Sequence, residues 1–407
     1  MDFSYSLKQG CVVAHACCVS LLDTVDQCIS QLADCEPLML VVFAGGKHDQ
    51  AAVFKTFQTK LPGVQIVGGS AAGAISRSAF GYSGFEIGVL AISDLHILPK
   101  VIVNHNLLEG EYEAGVQLGR DLRREAPDEG LVLLFFDSVA STAPLQLHPA
   151  SAIVSGVQNG LGGKRINLAG GGLLTDLNLG DGWVFDGNKA CKHAALALVF
   201  PSGITASTEV LHGCRPVSSF MEITKVDGNV VHELDGRPAL PALEEWLGLR
   251  LAGKTPDDLT LIATLGSKQG DPFAPFSENA YVNRLILGGN RAAGTINLFE
   301  PDFEVGMHVQ VMSRDNELML QSVRDGVKRA NAVSRNSDCL FNLYVDCAGR
   351  ASARTGAKIE EADLVRQHID SDVPFLGFYS GVEIAPFHGK ARALDWTGVL
   401  VTVRRTA

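Results

Sequence analysis

The chain has 407 residues, too many for one hydrophobic core and suited to two domains of ordinary size. Hydrophobic residues make up 46% and charged residues 19%, a balance that excludes wholesale disorder. Lys and Arg total 34 against 45 Asp and Glu, a formal charge of -11; the nearest thing to a basic patch, Arg123-Arg124, sits among acids, which argues against nucleic acid as a partner.

No segment reaches the roughly 18–20 apolar residues of a membrane span. The longest apolar run, Ala194 to Phe200, is strand-sized, and Met1-Asp2-Phe3-Ser4 lacks the basic start of a signal peptide, so a cytoplasmic protein without membrane contact is expected. Nine cysteines, five of them crowded as Cys11, Cys17, Cys18, Cys28 and Cys35, form no C-x-x-C pair. They read as reduced, mostly buried small residues, with redox sensing near Cys17-Cys18 as the alternative.

In chain order, Leu38 to Phe43 is an apolar run ending in Ala44-Gly45-Gly46, the pattern of a buried strand and turn. Asp49 to Lys60 reads as a helix and Val64 to Val67 as a second buried strand. Phe85 to Ile92 and Leu95 to Val103 look like an adjacent antiparallel pair. Glu111 to Glu125 reads as a surface helix, Leu131 to Phe136 as a strand, Leu145 to Leu161 as a helix and Arg165 to Ala169 as a strand. Further on, Trp183 to Asp186, Ala190 to Phe200, Ser218 to Val226 and Asn229 to Glu233 read as strands with hairpin turns such as Asp227-Gly228-Asn229. Leu240 to Trp246 is a short helix and Leu259 to Leu265 a strand; Leu285 to Leu287, Gly294 to Leu298 and Met307 to Met312 are further strands. Glu317 to Ala330 is an amphipathic helix, Cys339 to Val345 a strand and Glu360 to Ile369 a helix, with mostly strand beyond. The expected fold class is therefore mixed α/β, with mixed sheets covered by helices and a boundary near residues 205–235. Glycine clusters end buried strands at Val67-Gly68-Gly69, Leu168 to Gly172, Leu287-Gly288-Gly289 and Leu376-Gly377, which reads either as duplication or as a common way to end a strand.

The motifs of common enzymes are absent. Gly68-Gly69-Ser70-Ala71-Ala72-Gly73 lacks the G-x-G-x-x-G order, so its small residues point to close packing or ligand approach instead of a phosphate cradle. In Gly170 to Asp176, Thr175 and Asp176 read as turn caps. No G-x-S-x-G elbow, H-E-x-x-H motif or metal-spaced His/Cys cluster is visible; His232-Glu233 lacks a second His. The most distinctive text runs from Phe341 to Arg350 and from Pro374 to Pro386. Glu383 lies in an apolar strand-like stretch there, so it must find a donor or lose its charge, and Arg350 is the expected bidentate partner.

Residues 340–350 and 374–397 resemble the C-terminal domain of the FIST family, with its Cys-x-Gly-Arg strand end and later G-F-[FY]-x-x-G-E-[IL]-x-P segment. Val64 to Ile75 and Ile166 to Asp176 resemble glycine-rich segments of the FIST N-terminal domain; Cys214-Arg215-Pro216, Ile223-Thr224-Lys225 and Asp235 to Ala239 resemble the junction, and Arg284 to Gly294 also fits. Val382 departs from the usual Gly, and Leu394-Asp395-Trp396-Thr397 from the commoner His-Asn-Gln-Thr. The resemblance implies an N-terminal FIST domain over 1–215 and a C-terminal one over 216–407. It also implies a sensory input module for a small molecule, amino acids or their derivatives being one class. Some stand-alone members, the NosP type, are haem-binding nitric-oxide sensors. Output would pass to a histidine kinase or cyclic-di-GMP enzyme on a separate chain, since no such catalytic motif is visible here.

On that reading Arg350, Tyr379, Glu383 and Thr397 are expected to give polar ligand contacts, with Cys347, Gly377, Gly381, Gly69 and Ser70 shaping the site. Haem b, if bound, would be non-covalent, with His388, His308, His193, His212 or His148 as axial ligand. Two rival classes stay open: a cysteine-dependent enzyme using Cys347 on an amino-acid-like substrate, and an adaptor with no ligand.

Overall fold

The computed structural model describes residues 10–32, 35–248 and 263–406. The first unit runs β1 (Cys11–Cys17), α1 (Leu21–Gln31), β2 (Met39–Gly45), α2 (Gln50–Lys60), β3 (Gln65–Ala71), the hairpin β4 (Ala74–Ser76) and β5 (Phe80–Gly81), then β6 (Glu86–Ile92). Asp49 starts α2 by accepting the Ala52 N–H at 2.7 Å. That helix carries the chain back, so β2 and β3 lie parallel with Val42 opposite Gly68. β6 fits antiparallel between β2 and β1.

The second unit repeats this plan. It comprises β7 (Lys100–Asn104), α3 (Glu111–Glu125), β8 (Leu131–Asp137), a small hairpin of β9 (Val139–Thr142) and β10 (Leu145–Leu147), α4 (Ala150–Leu161), β11 (Asn167–Leu173), the hairpin β12 (Val184–Asp186) and β13 (Ala190–Cys191), and β14 (Ala195–Val199). β8 and β11 are parallel with Leu134 opposite Gly170, and β14 lies antiparallel between β8 and β7.

A third unit opens with β15 (Ile204–Leu211) and is then interrupted by a barrel. The barrel segment contains β16 (Cys214–Pro216), β17 (Met221–Asp227), β18 (Val230–Leu234), β19 (Arg237–Pro238), α5 (Ala239–Leu247), β20 (Ala263–Lys268), β21 (Tyr281–Asn290), β22 (Thr295–Leu298) and β23 (His308–Arg314). Six of these strands close a ring in the order β17-β18-β22-β21-β20-β23, with β23 pairing back onto β17. Closure leaves no free sheet edge in the ring, and Leu240 and Leu243 of α5 pack with its buried Ile223, Ile286 and Val311.

The third unit then resumes with α6 (Asn316–Arg335), β24 (Cys339–Cys347), α7 (Ser352–Thr355), α8 (Glu361–His368), β25 (Phe375–Ser380), the hairpin β26 (Glu383–Phe387) and β27 (Lys390–Leu394), and β28 (Gly398–Arg405). β24 and β25 are parallel with Tyr344 opposite Gly377, and β28 lies between β24 and β15.

Each unit lends its hairpin to another. β12 pairs with β3, β26 with β11 and β4 with β25, so the three sheets are linked in a closed cycle. Their inner faces share one core, where Phe43 and Phe378 stack with ring centres 4.0 Å apart and Phe135 packs against them at 5.4 and 5.9 Å. α1 and α2, α3 and α4, and α6 and α8 cover the three outer faces.

Mixed sheets covered by helices match the sequence reading. Three of the four glycine clusters fall at one position of the repeat, in β3, β11 and β25, while Gly288-Gly289 lies in the barrel. Three expectations are corrected. β6 and β7 do not pair with each other but lie in different sheets, because the chain crosses between units there. Leu145 to Leu161 is a strand and then a helix, since Pro149 fixes the turn before α4. Ala190 to Phe200 is two strands in two sheets, broken where His193 takes φ 53°. Met1 to Ser4 and the first part of the strand expected at Leu259 to Leu265 lie outside the described residues.

Candidate functional site

The barrel meets the third unit along a seam that concentrates buried charge. Phe299, Met312, Tyr281 and Leu285 of the barrel pack there against Cys347 and Trp396. Arg350 follows β24 in a 3₁₀ turn, Ala348–Arg350, and is only 3% exposed. Its Nε and Nη2 donate to the two oxygens of Glu361 at 2.8 and 2.6 Å, and its Nη1 donates to the Trp396 carbonyl at 2.9 Å. Tyr344 adds its hydroxyl to Glu361 at 2.9 Å. Burial works against the Arg350 charge, but Glu361 outweighs it and holds the guanidinium protonated. On the barrel side, Arg284 forks onto Asp302 at 2.6 and 2.5 Å and donates to the Ala393 carbonyl at 3.1 Å, tying the barrel to the β26–β27 hairpin.

The expected pairing of Arg350 with Glu383 is not what forms. Helix α8 brings Glu361 to Arg350, whereas Glu383 opens β26 and turns to its own neighbours. Its Oε1 lies 2.6 Å from the Ser380 hydroxyl, and its Oε2 accepts from the Thr397 N–H and hydroxyl at 3.1 and 3.0 Å. Ser380 has one proton and lies 3.0 Å from the Asp346 carbonyl, which can only accept. Ser380 donates to Glu383 Oε1, sharing its one proton between the carboxyl group and that carbonyl. Burial pushes the Glu383 pKa up to about 8 against the pull of Ser380 and Thr397.

Other titratable groups at the seam have buried atoms without hydrogen bonds. Both oxygens of Asp346, the Nε and Nη1 of Arg314, and both ring nitrogens of His212 are sealed from solvent and unpartnered. Asp346 is fully buried with Arg350 Nε at 3.7 Å, and burial, with Glu361 nearby, raises its pKa well above the carboxylate range. Arg314 ends β23, and burial together with the like charge of Arg350 lowers its pKa. Burial lowers His212 to about 3, with Arg350 adding to the effect. Buried polar atoms of this kind are rare unless water, an ion or a ligand completes them.

The remaining expected positions are scattered. Tyr379 donates at 3.0 Å to Glu360, the residue before Glu361, and Gly377 and Gly381 sit where Tyr344 and Ser138 approach closely. Gly69 and Ser70 belong to the β3–β12 junction, where Ser70 Oγ accepts the Trp183 N–H at 2.9 Å. Cys347 is buried at the seam; burial, with Glu383 beside it, raises its thiol well above the usual range, which keeps it from the thiolate form a nucleophile needs.

Of the five histidines, His148 and His193 come together and the other three stand apart. His388 and His308 are exposed, the former 2.9 Å from the Asn279 carbonyl, while His148 and His193 face each other at 3.1 Å. A groove of about 710 Å³ between Lys164, Arg165, Thr205, Thr208, Pro386 and Lys390 is wide enough for a cofactor, but no His, Cys, Met or Tyr lines it. His212, with free nitrogens, lies instead in the packed seam. These residues do not fit a haem. Arg314, Asp346 and Glu361 are not singled out by the sequence, since each looks like an ordinary strand-end or helix-start charge, and Arg284 enters only as part of the Arg284 to Gly294 segment.

Three repeated α/β units with an inserted barrel, joined through buried charge, define a two-body protein with its polar chemistry at the joint. Family comparison matches the FIST N domain to residues 38–237 and the FIST C domain to residues 239–386, with the boundary between them falling inside the barrel segment. The chain belongs to the FIST family, whose domains are associated with sensory and signalling roles. It is similar to the uncharacterized protein Rv0628c of Mycobacterium tuberculosis (strain ATCC 25618 / H37Rv), 26% identical over 244 residues, covering 59% of this chain and 61% of that protein. It is also similar to the uncharacterized protein Mb0898c of Mycobacterium bovis (strain ATCC BAA-935 / AF2122/97), 26% identical over 245 residues, covering 60% and 58%. The chain thus spans about three-fifths of the curated relatives it matches. Among the described residues no helix is long and apolar enough to cross a membrane.

Proposed function

We propose that this protein is a sensory module that takes an amino-acid-like zwitterion at the seam and reports its presence to a separate partner of the histidine kinase or cyclic-di-GMP enzyme class. The observation that carries this reading is a pair of opposite groups beside Arg350 with buried atoms that make no hydrogen bond: Nε and Nη1 of Arg314 and the two oxygens of Asp346. A ligand carboxylate would accept from Arg314 Nε and Nη1, and a ligand ammonium would donate to Asp346 and return it to its charged form.

The same arrangement supplies a signal. These atoms are sealed, so a ligand enters only when the barrel shifts against the three-unit body. Binding then favours the shifted state, and a partner that reads barrel position senses the ligand. Thermal-shift screening tests this. Free α-amino acids should raise the melting temperature, while the matching acid without an amine and amine without a carboxylate should not. No shift with any amino acid, or a Soret band on titration with haem, would count against the ligand class.

A further inference from the structure

We propose that Asp137, His148 and His193 form a binding site for a divalent transition metal of the zinc type, on the second unit and independent of the seam ligand. Three separate elements deliver these side chains to one place. Asp137 is the last residue of β8, His148 precedes α4, and His193 lies between β13 and β14. One ligand atom from each lies within 4.8 Å of the others. His148 Nε2 and His193 Nδ1 are 3.1 Å apart, and His193 Nδ1 is 3.7 Å from Asp137 Oδ2. Around a tetrahedral ion with bonds near 2.0–2.1 Å, donor atoms stand about 3.3 Å apart, so small side-chain movements suffice.

The surroundings orient the donors. Glu111 Oε1 lies 2.8 Å from His148 Nδ1, which leaves Nε2 with its lone pair toward His193, the carboxylate–histidine arrangement found behind metal ligands. Asp137 is fixed by the N–H groups of Val139 and His193 at 2.9 and 2.8 Å. His193 takes φ 53°, an uncommon conformation for a side-chain-bearing residue, and that turn keeps it beside Asp137 and His148. Asp137 and His148 side chains are fully buried, but His193 is 27% exposed, so a fourth position opens toward water. Two imidazoles and one carboxylate suit zinc better than calcium or magnesium. A second trio, His105, Asp186 and Cys191, has contacts of 3.5 to 3.9 Å but contains a thiol and an exposed His105.

Cobalt(II) titration of the full chain tests the assignment, because its visible spectrum reports ligand type and number. The expected result is one equivalent bound with four-coordinate d–d bands, no thiolate charge-transfer band, and displacement by zinc. His193→Ala should weaken binding by roughly a hundredfold or more, Glu111→Gln by about 10–100-fold with the same spectrum, and His105→Ala not at all. No stoichiometric binding by the wild-type chain would overturn the proposal, as would a thiolate band, or binding that survives His193→Ala but not His105→Ala. The wild-type spectrum decides even if a variant folds poorly.

Discussion

Gly68 and Gly170 hold one position in two copies of the repeated unit. Each lies in the second of two parallel strands, opposite Val42 and Leu134 respectively, with φ of 110° and 145°. A Cβ at either would overlap the carbonyl oxygen of the opposite residue. Gly377 takes the third copy of the position opposite Tyr344, with a Cβ reaching 2.7 Å from that carbonyl and no positive φ.

Gly68→Ala and Gly170→Ala should therefore each cost about 3 kcal/mol or more, from steric overlap and backbone strain together. Gly377→Ala should cost less. Urea unfolding of the three variants measures this, and equal losses at all three would contradict the strain argument.

Arg350 neutralises Glu361 inside the seam, with Asp346 close by. Arg350→Ala would strand buried acid and should destabilise the protein by about 3–5 kcal/mol. Combining Arg350→Met with Glu361→Leu removes both charges and should recover most of that loss. A double variant as unstable as Arg350→Ala would mean packing, not charge, dominates there.

Stability should also fall as pH rises. Glu383 and Glu300 are fully buried, and desolvation raises both to about 8 from an ordinary 4.5. The native state keeps these protons while the unfolded chain releases them above about pH 4.5, so their contribution is complete below that value and is lost as pH climbs to about 8. Glu383→Gln keeps an amide oxygen to accept from Thr397 and has no proton to lose. Its urea midpoint should vary less between pH 5 and 8 than that of the wild type; an unchanged slope would show that Glu383 is ionised in the fold.

The parts of this structure that could be read from sequence are those encoded locally. β2, β8 and β24 are buried on both faces and appear as continuous apolar runs, and α2, α3 and α6 show helical spacing with caps such as Asp49 and Asp315. β1 and α1 lie in the cysteine-rich text, although α1 carries an amphipathic pattern that buries Thr24, Val25 and Cys28 behind the Ser20 cap. The exchange of hairpins was not legible, because Glu383 meets Gly171 through pairing that no local pattern specifies. The seam was half visible: Arg350 and Glu383 stand out as charges in apolar text, but Glu361 resembles a first-turn acid serving the dipole of α8, and Arg314 an ordinary strand end.

Calorimetric titration with the α-amino acid that stabilises the wild type most addresses the seam directly. Arg314→Gln and Asp346→Asn each remove one charge of the proposed zwitterion cradle, and each should weaken binding at least about tenfold, as loss of a charge-assisted hydrogen bond does. Lys390→Gln, in the groove lined by Lys164 and Thr208, should leave affinity unchanged. Binding indifferent to Arg314 and Asp346, yet lost with Lys390, would place the ligand outside the seam and contradict the account.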